Sequence, residues 1–369
     1  MLGLGLALLL SCAEYNAQES YLALLLLGNT GGGDGTTSST PWATSQYTYR
    51  RRITFGTAHS LLRAGYTATI SLDTRTAATN VALASGNDVR IFWQPTVGSA
   101  VELDRIGTTW NNSATSIDFR LQSDITANLN AAGDGEYYVY YGNASAGTPS
   151  TNEMNVYYFA DFFNRADSSS IGNGWTEWTD AGDADIISGK LRLDDNGDTD
   201  PPQVGISQTF ALGAIPDDFR LEWEWTIDAT NAESIWANYV LVGTNGSMVN
   251  GSRSTGVGAG VYSCESLGCS GSNGISNNMA NMVENNITGT NTFRIDVDVS
   301  AFTYNYTRGG TVANNLAFVN NQTVLDEIRI ATDNNNFSSA QAHQFDNLKL
   351  TLTVADSPEM STGSEETIF

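Results

Sequence analysis

The chain has 369 residues, with 40 Asp and Glu against 17 Lys and Arg, for a formal charge of -23. That balance repels nucleic-acid phosphates and anionic lipid headgroups alike, and argues against DNA or RNA as a partner. The length exceeds one average domain, and abundant Gly, Asn, Ser and Thr with few long helix formers after residue 27 predict an all-β protein of two antiparallel β-sandwich domains.

Residues 1–11 carry the apolar run Leu2 to Leu10, which fits the core of a signal peptide and falls short of the ~20 residues that span a bilayer. Leu9-Leu10-Ser11-Cys12 resembles the bacterial lipobox. The resemblance implies cleavage before Cys12, a lipid on its sulfur, and an envelope lipoprotein held to the membrane by that anchor, at the outer membrane or cell surface. No Lys or Arg precedes the run, and the other reading makes Leu2 to Leu27 one buried or membrane-bound helix, broken on its apolar face by Glu14, Asn16, Gln18 and Glu19. Residues 12–45 are the lipidated cysteine and a tether, whose Gly/Thr/Ser stretch spans about 20 Å. With Cys12 carrying lipid, Cys264 and Cys269 remain as a pair that either forms a disulfide in an oxidising compartment or stays as two free thiols.

Two-residue alternation opens the first folded module, residues 46–146, as in Tyr66-Thr67-Ala68-Thr69-Ile70-Ser71-Leu72 and Ile117-Asp118-Phe119-Arg120-Leu121. Tyr49 to Phe55, Gly86-Asn87-Asp88-Val89-Arg90-Ile91-Phe92 and the tyrosine-rich Glu136 to Asn143, ending in Tyr-Gly-Asn, resemble a bacterial secreted β-sandwich module of unassigned function. That resemblance implies a fold without a chemistry. Residues 147–155 read as a linker. Beyond it, Ala160-Asp161-Phe162-Phe163-Asn164-Arg165-Ala166-Asp167, Gly172-Asn173-Gly174-Trp175 and Phe345-Asp346-Asn347-Leu348 resemble a concanavalin-like, laminin-G-like jelly roll over residues 156–355. Residues 356–369 are acidic and aperiodic, and are expected to be a disordered tail.

Three groups of residues carry candidate chemistry. Glu222 and Glu224 share one face of a strand, but the general acid that glycosidases on such jelly rolls place five positions along falls on Ile227, which disfavours a glycan-active enzyme. Asp194, Asn196 and Asp198 present oxygens at alternate positions, suited to Ca²⁺, or else form a solvated turn. Trp175, Trp178, Trp236 and Tyr239 are either a sugar-binding platform in loops or core packing. With only two histidines, no Ser-His-Asp or Cys-His constellation is expected. The reading that follows is a surface binding module for carbohydrate or a glycosylated extracellular protein. The alternative is a structural envelope or surface-assembly component.

Overall fold

Along Phe219-Arg220-Leu221-Glu222-Trp223-Glu224-Trp225-Thr226, every second side chain is buried and the ones between are half-buried. A strand sends successive side chains to opposite faces, so this period builds a sheet with one dry side. The computed structural model describes residues 42–129, 135–179, 182–195, 203–227, 238–243, 257–264, 274–276, 282–285, 289–318, 324–333 and 341–368. Among them there is no α-helix, no helix long and apolar enough to cross a membrane, and every strand pairing is antiparallel.

The first sandwich is built from β1 (Tyr49–Phe55), β2 (Thr67–Leu72), β3 (Arg90–Gln94), β4 (Val101–Leu103), β5 (Ile106–Thr108), β6 (Thr115–Arg120) and β7 (Glu136–Tyr141). Strands β1, β7, β3 and β4 lie side by side in one sheet, and β2, β6 and β5 form the other. Ile53, Phe55, Tyr137 and Val139 of the larger sheet face Ala68, Ile70, Ile117 and Phe119 of the smaller, all buried, with the Phe119 and Tyr137 rings 5.8 Å apart.

The second sandwich runs through β8 (Phe159–Asp161), β9 (Thr176–Thr179), β10 (Gly182–Ile187), β11 (Lys190–Asp195), β12 (Gln203–Thr209), β13 (Phe219–Ile227), β14 (Asn238–Gly243) and β15 (Val257–Cys264). It continues with β16 (Gly274–Ser276), β17 (Met282–Asn285), β18 (Gly289–Asp298), β19 (Thr303–Arg308), β20 (Thr311–Ala317), β21 (Glu327–Asp333) and β22 (Gln341–Leu352). One sheet has the order β10, β11, β22, β13, β18, β19, β20, with β8 also paired to β22; the other has the order β17, β16, β15, β14, β21, β12, β9. Trp223 and Trp225 of the first and Ile206, Ile328 and Ile330 of the second fill the layer between.

The tail expected to be disordered is a strand. β23 (Met360–Thr367) returns to the first sandwich and pairs antiparallel with β1 along its whole length, Tyr49 opposite Thr367 and Phe55 opposite Met360. Its glutamates are the reason: Glu366 meets the Arg50 guanidinium at 2.7 Å, and Glu365 lies 3.8 Å from Arg51 and accepts from the Tyr141 hydroxyl at 2.6 Å. The second sandwich is therefore an insertion between β7 and β23 of the first, and both belong to one unit, Ala43–Phe369.

The segment expected to be a linker is fastened down as well. Asp104 accepts from the Asn152 amide at 3.1 Å and the Asn155 side chain at 3.0 Å, and Ser150 also bonds to it. Asn152 caps a short 3-10 turn, Glu153–Asn155, which leads straight into β8.

Two buried carboxylates account for the motifs that resembled known modules. Asp88, fully buried, accepts from the Ala82 amide at 2.6 Å, the Leu83 amide at 3.0 Å and the Gly142 amide at 3.0 Å. It thereby ties the Gly-Asn-Asp turn to the Tyr-Gly-Asn end of β7. Gly142 has φ +86, and a Cβ there would strike the Tyr49 ring, so only glycine fits. Asp161, also fully buried, accepts from Arg165 Nη1 at 2.7 Å and Nη2 at 3.0 Å, the Phe163 amide at 2.7 Å, Asn173 at 3.1 Å and the Trp175 indole at 2.7 Å. Both motifs encode hydrogen-bond knots.

Candidate functional site

Trp175 is not a platform. It is 7% exposed, donates its indole N–H to Asp161 and packs edge-on against Phe159 with ring centroids 5.6 Å apart. Trp178 is also buried, at 9%. It sits on β9 opposite Gly205 of β12, on the face away from Ile206, and a Cβ at Gly205 would collide with the indole ring, which lies flat across the sheet. The Arg329 guanidinium stacks over it, 4.7 Å from the ring centroid, and reaches Glu327 at 3.7 Å. Register continues the row from Gly205 to Ala331 and then to Tyr239 on β14. Of the two readings left open for these tryptophans, the structure bears out packing: Asp161 draws Trp175 into the core, and β9 lays Trp178 over a glycine floor on the sheet face away from Ile206. Trp236, Cys12, Cys269, Asn196 and Asp198 lie outside the described residues, and of Cys264 and Tyr239 only the strand positions are described.

Asp194 stands on β11, 3.3 Å from Arg192 through Oδ2, while its Oδ1 is buried without a hydrogen-bond partner. Burial, with Asp183 and Asp185 nearby, lifts its carboxyl above the ordinary range against the pull of Arg192. A desolvated oxygen of this kind is a ligand a hard cation accepts. Among the described residues, no three His, Cys, Asp or Glu side chains are grouped to hold a metal.

Glu222 and Glu224 lie on the outer face of β13. Glu222 pairs with Lys349 at 3.2 Å, and Glu224 stands opposite Asp346, which is 3.6 Å from Lys190. Burial, together with Glu224, raises the Asp346 carboxyl, while its Asn347 amide bond and Lys190 oppose that shift. This face is a lattice of ion pairs, continued by Arg220 and Arg294, which share the two oxygens of Asp296 at 2.6 and 2.8 Å.

That lattice faces β2 and β6 of the first sandwich across a groove of about 350 Å³. Thr67, Thr69 and Asp118 form one wall, and Arg220, Asp296, Lys349 and Thr351 form the other. Tyr157 and Ser357, from the two segments that join the sandwiches, close it. Asp118 accepts from Thr69 at 2.8 Å and from the Tyr157 hydroxyl at 2.9 Å, and Lys349 lies 5.7 Å from the Tyr157 ring centroid. Burial first, and then the Asp118 carboxylate, push the Tyr157 phenol far above its ordinary value, so it remains a hydroxyl donor at any physiological pH. The seam is bridged by Arg63 of the first sandwich, 3.3 Å from Asp217 of the second. The groove is preformed, polar and lined from both modules, a size and setting typical of ligand sites. Its residues are scattered over β2, β6, β13, β18 and β22, and no spacing in the sequence brings them together.

No protein-family model matches the chain, and no curated protein matches it. Among solved structures it is similar to a sialidase, with 9% identity and a TM-score of 0.38 over 61% of this chain and 20% of that one. It is also similar to the lectin from Bauhinia forficata in complex with GalNAc, with 10% identity and a TM-score of 0.35 over 50% of this chain and 94% of that one. The exoplasmic/lumenal domain of VIP36 in its Ca²⁺/Man-bound form gives 11% identity and a TM-score of 0.35 over 53% and 90%. This chain spans about a fifth of the sialidase. Likenesses this distant assign neither a ligand nor a chemistry.

Proposed function

We propose that this is an envelope lipoprotein, anchored through Cys12, that binds a polyhydroxylated ligand, a glycan or the glycan of an extracellular protein, in the groove between its two sandwiches. The observation that carries the reading is the composition of that groove. Hydroxyls of Thr67, Thr69, Thr351 and Tyr157 alternate there with a guanidinium, an ammonium and two carboxylates, and apolar side chains contribute little of the wall. A ligand dense in hydroxyls is donor and acceptor at each carbon and can replace water at each of these groups. Binding led by hydrogen bonds on a wet surface is weak, with dissociation constants of order 1 mM and about -4 kcal/mol per site.

The test is a glycan array probed with the full chain, followed by titration calorimetry on each hit. A bound glycan whose heat disappears in Arg220→Gln and Lys349→Met, while both variants keep the wild-type melting temperature within about 2 °C, supports the groove. A blank array turns the reading towards a structural envelope component, and binding that both variants retain moves the site elsewhere.

A further inference from the structure

We infer that β23 is an exchangeable closing strand, and that the element able to take its place on β1 is the β23 of a second copy of this chain. The inference is independent of the groove and its ligand.

Four observations converge on it. First, β23 lies at the edge of its sheet and reaches the first sandwich only through the segment Thr353 to Glu359, which extended reaches about 25 Å. Second, none of its side chains is fully buried, whereas β1 buries Arg50, Ile53 and Phe55 and β7 buries five of its six residues; of β23 only Met360 packs, half-buried, against the core, so the strand can leave with little loss of core. Third, it is held by the backbone ladder and by charge. Glu366 and Glu365 stand directly opposite Arg50 and Arg51, Asn80 donates to Glu365 at 2.7 Å, and Thr54 pairs with Ser361 at 2.9 Å. Fourth, Arg50 is 1% exposed, so removing the Glu366 carboxylate from beside it is unfavourable unless another carboxylate arrives in the same place. A strand that costs little core to release, but whose position must be refilled by an acidic segment in one register, is satisfied by an identical strand. Exchange of identical elements between copies is a low-cost route to a dimer, because the strand each copy releases re-forms the same ladder and the same ion pairs on its neighbour.

The test is a charge reversal on the full chain. In one variant, Arg50→Glu with Arg51→Glu makes both partners of the clasp acidic; in the other, Glu365→Arg with Glu366→Arg makes both basic. Each variant alone repels its own β23, and light scattering after size exclusion should give the mass of one chain. Mixed in equal amounts, each offers the strand the other needs, and the mass should double, with both chains present in a 1:1 ratio. A mixture that stays at the single-chain mass while circular dichroism shows both variants folded overturns exchange between copies.

The Arg50 change alters a buried residue, so a second measurement relies on the Glu365→Arg/Glu366→Arg variant alone, whose substituted side chains are themselves 26% and 44% exposed. A fluorescent peptide of wild-type residues 358–368 should bind this variant at 1:1 stoichiometry and bind the wild-type chain at least tenfold more weakly. Equal anisotropy with both chains overturns the claim that β23 can be replaced.

Discussion

Asp161→Ala is the most exacting test of how the second sandwich starts. The carboxylate accepts five hydrogen bonds, but they are not equal when it is removed. Asn173 is exposed and Arg165 is 28% exposed, so their donors turn to water at little cost. The Trp175 indole N–H and the Phe163 amide cannot, since those residues are 7% and 0% exposed. Two buried donors left dry cost about 1–3 kcal/mol each, or about 4 kcal/mol together. For a module of this size, that lowers the melting temperature by about 8–16 °C. The assay is thermal unfolding followed by tryptophan fluorescence and circular dichroism. A double-mutant cycle sharpens it: in a Trp175→Phe background, which has already lost the indole N–H, Asp161→Ala should cost about 1–3 kcal/mol less than in the wild type. If Asp161→Ala melts within about 2 °C of the wild type, the knot does not fix the opening loop, and the burial of Trp175 needs another cause.

Gly205→Ala drives a methyl group into the Trp178 ring and should destabilise by about 1–3 kcal/mol, with a red-shifted emission if the indole is displaced; an unchanged spectrum and melting curve would contradict the flat packing of that ring. Burial raises the carboxyls of Asp194, Asp218 and Asp346 above their ordinary 3.8. The folded chain therefore keeps protons that the unfolded chain has released, and between 3.8 and the raised values stability grows as pH falls. Asp346→Asn should flatten that slope in a series of melting curves, and an unaltered slope would clear Asp346 of the effect. Excess calcium over chelator should raise the melting temperature of the wild type but not of Asp194→Asn; superimposable wild-type curves would remove calcium from the reading. Cys12→Ala should move the protein from the detergent phase to the aqueous phase on phase partitioning, and its persistence in detergent would place the anchor elsewhere.

The antiparallel sandwiches were legible because their strands bury one face, and alternation records that burial directly, as in Phe219 to Thr226. The motif residues were legible as motifs, but their work was not. Asp88 and Asp161 look like any other acid in a chain of 40, and only the fold reveals that Asp88 collects the amides of Ala82, Leu83 and the distant Gly142, and that Asp161 collects the donors of the loop that follows it, as far as Trp175. β23 was misread for the converse reason. It buries no side chain, so it lacks the apolar period, and the arginines that order it lie more than 300 positions upstream. The two tryptophans were ambiguous because composition does not distinguish an indole beside a sugar from one beside a glycine floor. The groove had no local signature at all, because each wall is the polar half of a strand whose apolar half dominates the pattern.

The insertion also sets an order of events during synthesis. When β1 to β7 emerge, the strand that will flank β1 is still more than 200 residues away, and the whole second sandwich must appear before it can arrive. Contacts this distant in sequence form late, and until they do the β1 edge stays open to unintended pairing. A chain stopped or clipped anywhere within the second sandwich would leave that edge exposed for good. Closure of the first module thus reports that the second has been delivered, a built-in sign of completeness for a protein that emerges as a thread.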